Sequence, residues 1–569
     1  MSDRHPENSQ RKRAAQDHGR RGNNKKTKKA QKPAKEGSHD EVLLYDVQAL
    51  LKRLSLANGN PEDVEVERAP GSNGEPPKSL PEPFTEIDLE VQEISSTGDG
   101  LAYNSADGHV YVIPFTAPGD TVTAKVIRHV KESSHSVADF VKVVKPSPKR
   151  KDHLIGCKYF ATCSGCQFQM LSYDDQLAHK KTIMEKAYKN FSSLDPNLAP
   201  AIGDTIGSPL QYGYRTKLTP HFDGPPGRRS DGRNGVKRKF ETVPPIGFMK
   251  KGTRQTLDIE DCPIGTDAVR MGMKRERKRY ADQIDQFSRG VTILLRESTN
   301  RIQKEGLSES DLPQRKDDTI LEHHDTFIDE KTCVTDNNAT STEYVDASIF
   351  TNRANDFFQN NNSILPVFTS YIRDHVLPPS STDLSTDLST NSEPTYHLVD
   401  AYSGSGLFTI TLAPLFASST GIDISAPSIA CAAKNAALNN LPSTRAKFMA
   451  ADASHIFASV KTKADETVVI IDPPRKGCDE SFLQQLLEFA PVRVVYVSCN
   501  VHTQARDVGV LVNGMTTSAE GKRIEGAYEI ESLRGFDFFP QTGHVEGVAV
   551  LKRKTTEVGE ANGEEESSL

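Results

Sequence analysis

Apolar positions follow two different periods along this chain of 569 residues. From Tyr396 onward, short runs rich in β-branched residues alternate with stretches of helical period. This predicts strands over 396–401, 419–424, 447–451, 467–471 and 492–498, and helices over 407–417, 426–439 and 480–489. Runs such as Val468 to Ile471 and Val494 to Val497 are apolar at every position, the pattern of a strand covered on both faces in a parallel sheet. Alternation of this kind builds βαβ units and a doubly wound α/β sheet. Val545 to Leu551 supplies a closing strand, expected at the antiparallel edge. Over 82–146 the runs are shorter and alternate, as in Ile87-Asp88-Leu89-Glu90-Val91, with breaks at Gly98, Gly100, Gly108 and Gly119. That is the signature of a small β-barrel.

Between these regions, residues 150–349 form a central α+β domain, with a helix expected from Tyr173 to Tyr188 and a Gly/Pro/Arg-rich basic surface insertion from Gly224 to Lys239. Residues 1–81 lack periodicity apart from Val42 to Leu56, a short helix, and read as a mostly disordered basic region. The catalytic candidate spans 350–555, and an acidic, frayed tail follows at 556–569. Ser380 to Pro394, with its Asp-Leu-Ser-Thr repeat, is a low-complexity loop just ahead of the first sheet strand.

Charge refines this picture. The net charge of −7 hides 12 Lys and Arg against four acids in residues 1–37, leaving 58 basic and 73 acidic residues in the rest. A basic segment of this kind binds phosphates without sequence preference or serves as a nuclear address. Asp3, Glu7 and Asp17 argue against a mitochondrial transit peptide. No stretch of 18 apolar residues predicts a membrane span, and no apolar leader segment predicts secretion. An intracellular protein of nucleus or cytoplasm is expected, with the mitochondrion still open.

Chemistry gathers at the predicted strand ends. Cys499 closes the strand Val494-Val495-Tyr496-Val497-Ser498, where open α/β sheets build their active sites. Val399-Asp400-Ala401-Tyr402-Ser403-Gly404-Ser405-Gly406 is a glycine loop that lets backbone approach a ligand closely. It lacks the third glycine of the dinucleotide fingerprint, and methyl-donor enzymes share the Gly-x-Gly pattern. Asp423 ends the next strand and suits ribose hydroxyls or a helix N-cap; Asp452, after the third, suits an adenine edge or a cap. Asp472-Pro473-Pro474-Arg475 stiffens a strand exit and fixes a carboxylate over the sheet end. A separate constellation, Cys157, Cys163 and Cys166 with Cys262 before a proline, suits a 4Fe–4S cluster, zinc, or plain packing. Gln167 and Gln169 adjoin it.

Several of these segments occur together in one family. Asp472-Pro473-Pro474-Arg475-Lys476-Gly477, Tyr496-Val497-Ser498-Cys499-Asn500 and Phe539-Pro540-Gln541-Thr542-Gly543-His544-Val545-Glu546 resemble the RNA (uracil-5-)-methyltransferase family. Phe357-Phe358-Gln359-Asn360-Asn361 and Tyr214-Arg215-Thr216-Lys217 match as well, and 82–146 resembles its TRAM barrel. The likeness covers most of 82–553 and is nearest to the fungal members that modify tRNA. It implies a class I (Rossmann-like) S-adenosylmethionine-dependent methyltransferase domain behind an OB-like TRAM barrel, in a monomer. It further implies a tRNA partner, with the T-loop uridine as target. Cofactor contacts would come from Gln359, Tyr402, Asp423 and Asp472, with Asp452 in addition. Cys499 would be the nucleophile and Glu546 the proton acceptor. Some bacterial relatives carry a 4Fe–4S cluster on cysteines matching Cys157, Cys163, Cys166 and Cys262. This chain departs at Ser403, where the family often has cysteine, at Leu407, where bacterial members have asparagine, and at Asp423, a shorter acid than the usual glutamate.

The residues suit that reaction in their own right. Carbon 5 of uracil is too weak a nucleophile to take a methyl group until a thiolate adds at carbon 6, and a base must then remove the carbon-5 proton. A ribosomal-RNA uracil methyltransferase shares every one of these features. A non-catalytic RNA-binding module would account for the barrel and basic segment alone. A radical methylthiotransferase spaces its cluster thiols Cys-x3-Cys-x2-Cys, unlike the five residues between Cys157 and Cys163.

Overall fold

Five strands, Glu86–Ile94, Gly100–Asn104, His109–Ile113, Thr121–Val130 and His135–Lys145, close into a barrel because their alternate side chains are apolar. Leu89, Val91, Tyr111, Ile113, Val122, Ala124 and Val126 fill the interior. The computed structural model describes residues 36–57, 79–130, 134–225, 238–314, 316–379, 394–452, 456–457, 460–519 and 521–555. Most of the predicted basic insertion and low-complexity loop, together with the acidic tail and residues 1–35, lies outside them.

The short helix expected over Val42 to Leu56 is present as His39–Ala57, whose Leu43, Val47 and Leu50 pack on Leu101, Val110 and Val112 of the barrel. Its Asp46 is buried, accepts from Ser96 N and pairs with Lys186 at 3.1 Å. The apolar stripe is narrow, and its partner is an outer barrel face that the sequence does not announce.

The catalytic sheet has eight strands in the order Ala446–Ala450, Ser418–Asp423, His397–Ala401, Thr467–Ile471, Arg493–Ser498, Glu546–Arg553, Tyr528–Phe536 and Gly203–Ile206. The first five run parallel, as the apolar runs require. Alternate residues of the central strands point to opposite faces. Val469, Ile471, Val494 and Tyr496 meet helices Tyr173–Phe191, Glu480–Phe489 and Val501–Asn513, while Val468, Ile470, Val495 and Val497 meet Leu365–His375 and Leu407–Thr411.

Two expectations for this domain change. The strand Glu546–Arg553 is antiparallel but interior, paired with Arg493–Ser498 on one side and Tyr528–Phe536 on the other. The edge strand is Gly203–Ile206, which comes from upstream of 350. The helix expected over 407–417 is Leu407–Thr411 followed by a 3-10 turn, Ala413–Leu415, because Pro414 has no N–H to continue the helical ladder. Among the described residues no helix is long and apolar enough to cross a membrane.

The central segment is built around the strand Leu295–Gln303 and the helix Asp267–Asp282, with Leu218, Phe222, Val269, Met273 and Leu295 in its core. Its helix Tyr173–Phe191 starts at Ser172, whose hydroxyl accepts from Asp175 N, and lies against Val501–Asn513. From it a fully buried Lys180 reaches the loop that precedes Glu546. The ammonium pairs with Asp537 and donates to the carbonyls of Phe539 (3.1 Å) and His544 (2.8 Å). One helical turn earlier, the Gln176 side chain donates to Gln541 Oε1 at 3.1 Å and accepts from Gln541 N at 3.0 Å.

A buried ion pair that loses one member leaves the other charge stranded. Lys180→Met is expected to destabilise the protein by about 3–5 kcal/mol, and adding Asp537→Leu should recover part of that loss. Urea unfolding followed by tyrosine fluorescence measures both, and an unchanged midpoint in Lys180→Met would show that the loop is held by other contacts.

Candidate active site

Register sets the centre of the site. Ser498 stands opposite Gly547 in the antiparallel pair, so Cys499 and Glu546 emerge at the same end of neighbouring strands. Cys499 is half-buried and Glu546 only 4 % exposed. On the other side, Thr467–Ile471 delivers Asp472, whose N–H points to the Ala401 carbonyl at 3.4 Å. Asp400, inside the first strand, accepts from Thr409 N and Oγ1 at 2.8 and 2.6 Å and so fixes the start of the helix after the glycine loop.

This end of the sheet is crowded with acids. Burial, then the charge of Asp472, pushes the Glu546 carboxyl well above its ordinary range. Burial and Asp400 raise Asp472 to about 7, and burial raises Asp400 to about 7 in turn. The Cys499 thiol rises to about 12, first through burial and then through Glu546 and Asp472, while Arg475 opposes this by its charge and a hydrogen bond. The free protein therefore holds a protonated thiol beside carboxyls raised above their ordinary range, a set whose pKa values an arriving cation would lower.

Helix Val501–Asn513, which begins two residues after Cys499, grips the Asp-Pro-Pro-Arg loop. Asn500 caps it, accepting from His502 N at 3.2 Å, and donates to the Arg475 carbonyl at 2.9 Å. Thr503 donates to the same carbonyl at 3.2 Å, and Arg506 donates to Lys476 O at 3.0 Å. Buried Asp507 accepts from Cys478 N at 2.8 Å and from the Tyr496 hydroxyl at 2.6 Å. Neither these residues nor the part played by Arg475 was assigned from sequence. The signal the sequence offered for Arg475 is that a buried thiolate needs a cation and Arg475 is the first basic residue of that motif.

The cofactor candidates are less uniformly placed. Asp423 accepts from Gly404 N at 3.0 Å and Ser425 N at 2.7 Å, tying the glycine loop to the second strand. Ser425, not Asp423, caps the following helix, so the alternative reading of Asp423 as a cap falls away. Tyr402 has a φ of 65° and lays its ring 5.4 Å from that of Phe482. Gly404 has a φ of 54°, and a Cβ added there meets nothing within 4 Å, so the loop leaves space for a ligand. Gln359 is half-buried in a segment secured by Asn361, which donates to Ser208 Oγ at 3.0 Å and Phe538 O at 3.1 Å. Asp452 is exposed beyond the strand Ala446–Ala450.

Cys157, Cys163, Cys166 and Cys262 line one cavity of about 330 Å³ in the central segment, together with Arg215, Phe539 and His544. Burial pushes Cys166 and Cys262 up to about 12. Among the described residues no group of three or more His, Cys, Asp or Glu side chains is arranged to hold a metal ion. The arrangement thus fits buried neutral thiols and does not support the expected 4Fe–4S cluster or zinc. The cavity is nonetheless continuous with the loop before Glu546 through Phe539, Thr542 and His544.

Known proteins share this architecture. A family model described as tRNA (Uracil-5-)-methyltransferase matches residues 382–554, and the TRAM domain model matches 82–137. A tRNA (uracil(54)-C(5))-methyltransferase of Schizosaccharomyces pombe is 42% identical over 526 residues, covering 92% of this chain and 85% of the relative. Its Saccharomyces cerevisiae counterpart is 38% identical over 542 residues, covering 90% and 81%. The crystal structure of the Pyrococcus abyssi tRNA (uracil-54, C5)-methyltransferase with S-adenosyl-L-homocysteine superposes with a TM-score of 0.53 at 23% identity, covering 82% of this chain and all of that one.

A thiol with a pKa raised to about 12 should alkylate slowly and without a plateau. In the free protein the rate at Cys499 is expected to climb about tenfold per pH unit from pH 7 to 9, where an ordinary cysteine levels off. Arg475→Ala should slow it at every pH. Iodoacetamide labelling followed by peptide mass spectrometry reads this, and a plateau near pH 8 would contradict the buried, acid-flanked thiol.

Proposed function

We infer the reaction from one premise: this chain belongs to the tRNA (uracil-5-)-methyltransferase family. It methylates carbon 5 of a uridine in tRNA, at position 54, the position carried in the names of its fungal relatives. The observation that supports the chemistry is the strand register that sets Cys499 and Glu546 side by side, with Asp472 and Arg475 against them.

S-adenosylmethionine supplies the methyl group, and the chain's residues prepare both partners for it. The open space at Gly404, the strained backbone at Tyr402 and the cluster of Asp400, Asp472 and Glu546 suit a ligand bearing positive charge. Asp423, Tyr402, Gln359 and Asp472 would hold it. A cation in that cluster lowers the pKa values of Cys499 and Glu546 together, readying thiolate and carboxylate. Arg475 steadies the thiolate as it adds to carbon 6, which moves an electron pair into the ring and makes carbon 5 nucleophilic. Once carbon 5 carries the methyl group, Glu546 takes the carbon-5 proton. The ring's double bond re-forms and the Cys499 thiolate leaves. A carboxyl with a raised pKa is a better acceptor for that proton than an ordinary one.

The uridine must leave its stack to reach so buried a thiol. The TRAM barrel and basic segment would contribute phosphate contacts that hold the RNA without reading the base.

RNA with 5-fluorouracil at the target should trap a denaturation-resistant adduct on Cys499, because fluorine cannot leave as a proton does. Cys499→Ser should abolish the adduct and lower methyl transfer at least about a thousandfold. An adduct at wild-type yield in that variant would remove Cys499 from the mechanism. With unmodified tRNA, nucleoside mass spectrometry should find 5-methyluridine at position 54, and methylation of ribosomal RNA alone would overturn the substrate.

Glu546→Gln should accumulate a methylated protein–RNA covalent complex while still binding the methyl donor. Turnover at the wild-type rate would assign the proton to another base.

A further inference from the structure

The loop 537–545, between the strands Tyr528–Phe536 and Glu546–Arg553, forms no helix or strand of its own. Groups from distant parts of the chain hold its backbone instead. Asn361 Nδ2 donates to the Phe538 carbonyl at 3.1 Å, and the Tyr214 hydroxyl donates to that of Pro540, also at 3.1 Å. The N–H groups of Gln167 and Phe168 both donate to the Gln541 carbonyl, at 2.7 and 3.1 Å. Gln541 itself has a φ of 71°, a left-handed backbone that a residue other than glycine keeps only where its surroundings enforce it.

Lys180 differs from these groups because it holds both ends of the loop. An ammonium has three N–H donors, and Asp537, the Phe539 carbonyl and the His544 carbonyl take one each. Phe539 N donates in turn to Asp537 at 3.1 Å, which closes the clamp. His544 lies two residues before Glu546, roughly 7 Å along an extended chain, so the clamp fixes where the strand that carries the carboxyl begins. The Lys180 and Asp537 side chains are both fully buried, so water cannot stand in for either. The charges that shift Glu546 are those of Asp472 and Arg475, which leaves Lys180 to act on it through geometry.

We propose that Lys180 is a positioning residue for Glu546: its clamp on the loop sets the carboxylate where it can take the proton from carbon 5. This role rests on the methyl transfer inferred above and belongs to its last step. There the bond from carbon 5 to hydrogen breaks, and its electron pair re-forms the double bond between carbons 5 and 6. The bond from carbon 6 to sulfur breaks with its pair staying on Cys499, and the proton passes to Glu546. A general base must stand within about 3 Å of the proton it takes, and a misplacement of about 1 Å costs on the order of a hundredfold in rate. Thiol addition and methyl transfer come earlier and do not need the base.

The test measures two quantities in the same chains. RNA carrying 5-fluorouracil at the target reports addition and methyl transfer, since its adduct forms without proton removal. Turnover of unmodified tRNA reports the whole reaction. The chains are wild type, Lys180→Met, and Lys180→Met with Asp537→Leu, in which both buried charges go together and stability is regained in part. Per folded molecule, both variants should trap the fluorouracil adduct at the wild-type rate, while turnover falls on the order of a hundredfold. On unmodified tRNA they should accumulate the methylated protein–RNA covalent complex. A purely structural lysine would lower both quantities by the same factor, or the paired variant would recover both along with its stability. Either result overturns the proposal. A wild-type chain that neither traps the adduct nor makes 5-methyluridine would refute the inferred reaction itself, before any variant is compared.

Discussion

The antiparallel pairing of Arg493–Ser498 with Glu546–Arg553 is the constraint on which the site depends. Side chains alternate across a strand, so a slip of one residue would turn Glu546 away from Cys499 and take Val548 and Val550 off the face they now fill. The register is enforced from outside the sheet as much as within it. Lys180 and Gln176 hold the loop before Glu546 by its carbonyls and side chains, and Asn361 holds Phe538 at the loop's start. The two catalytic candidates are thus placed by the apolar core on one side and by a fully buried cation on the other.

Charge follows from this placement. The carboxyls of Asp400, Asp472 and Glu546 gather with the Cys499 thiol at one end of the sheet, and Arg475 opposes the upward shift of Cys499 and Glu546, so burial keeps the thiol protonated in the free protein. A positive charge brought among these groups would lower their pKa values together.

Much of this was readable from the amino-acid pattern because parallel strands covered on both faces leave unbroken apolar runs. Thr467–Ile471 and Arg493–Ser498 fall within a residue of their predicted spans, and Asp472 and Cys499 stand at their ends as expected. The interior position of Glu546–Arg553 was not readable, since an interior and an edge antiparallel strand carry similar patterns. Gly203–Ile206 has only four residues, too few for a periodic signal. The helix His39–Ala57 was foreseen only in part, because its stability comes from the barrel face it covers. The four cysteines were legible as a group, and they do line one cavity, but spacing along the chain carries no information about the arrangement of thiols within it.

The short strand Gly203–Ile206 has a consequence for where the domain can be cut. It covers the outer side of Tyr528–Phe536, a nine-residue strand whose backbone groups would otherwise template pairing with another chain. The methyltransferase sheet therefore does not end where its own sequence segment begins. A fragment spanning only residues 350–555 would leave the outer edge of that strand bare and open to pairing with another copy.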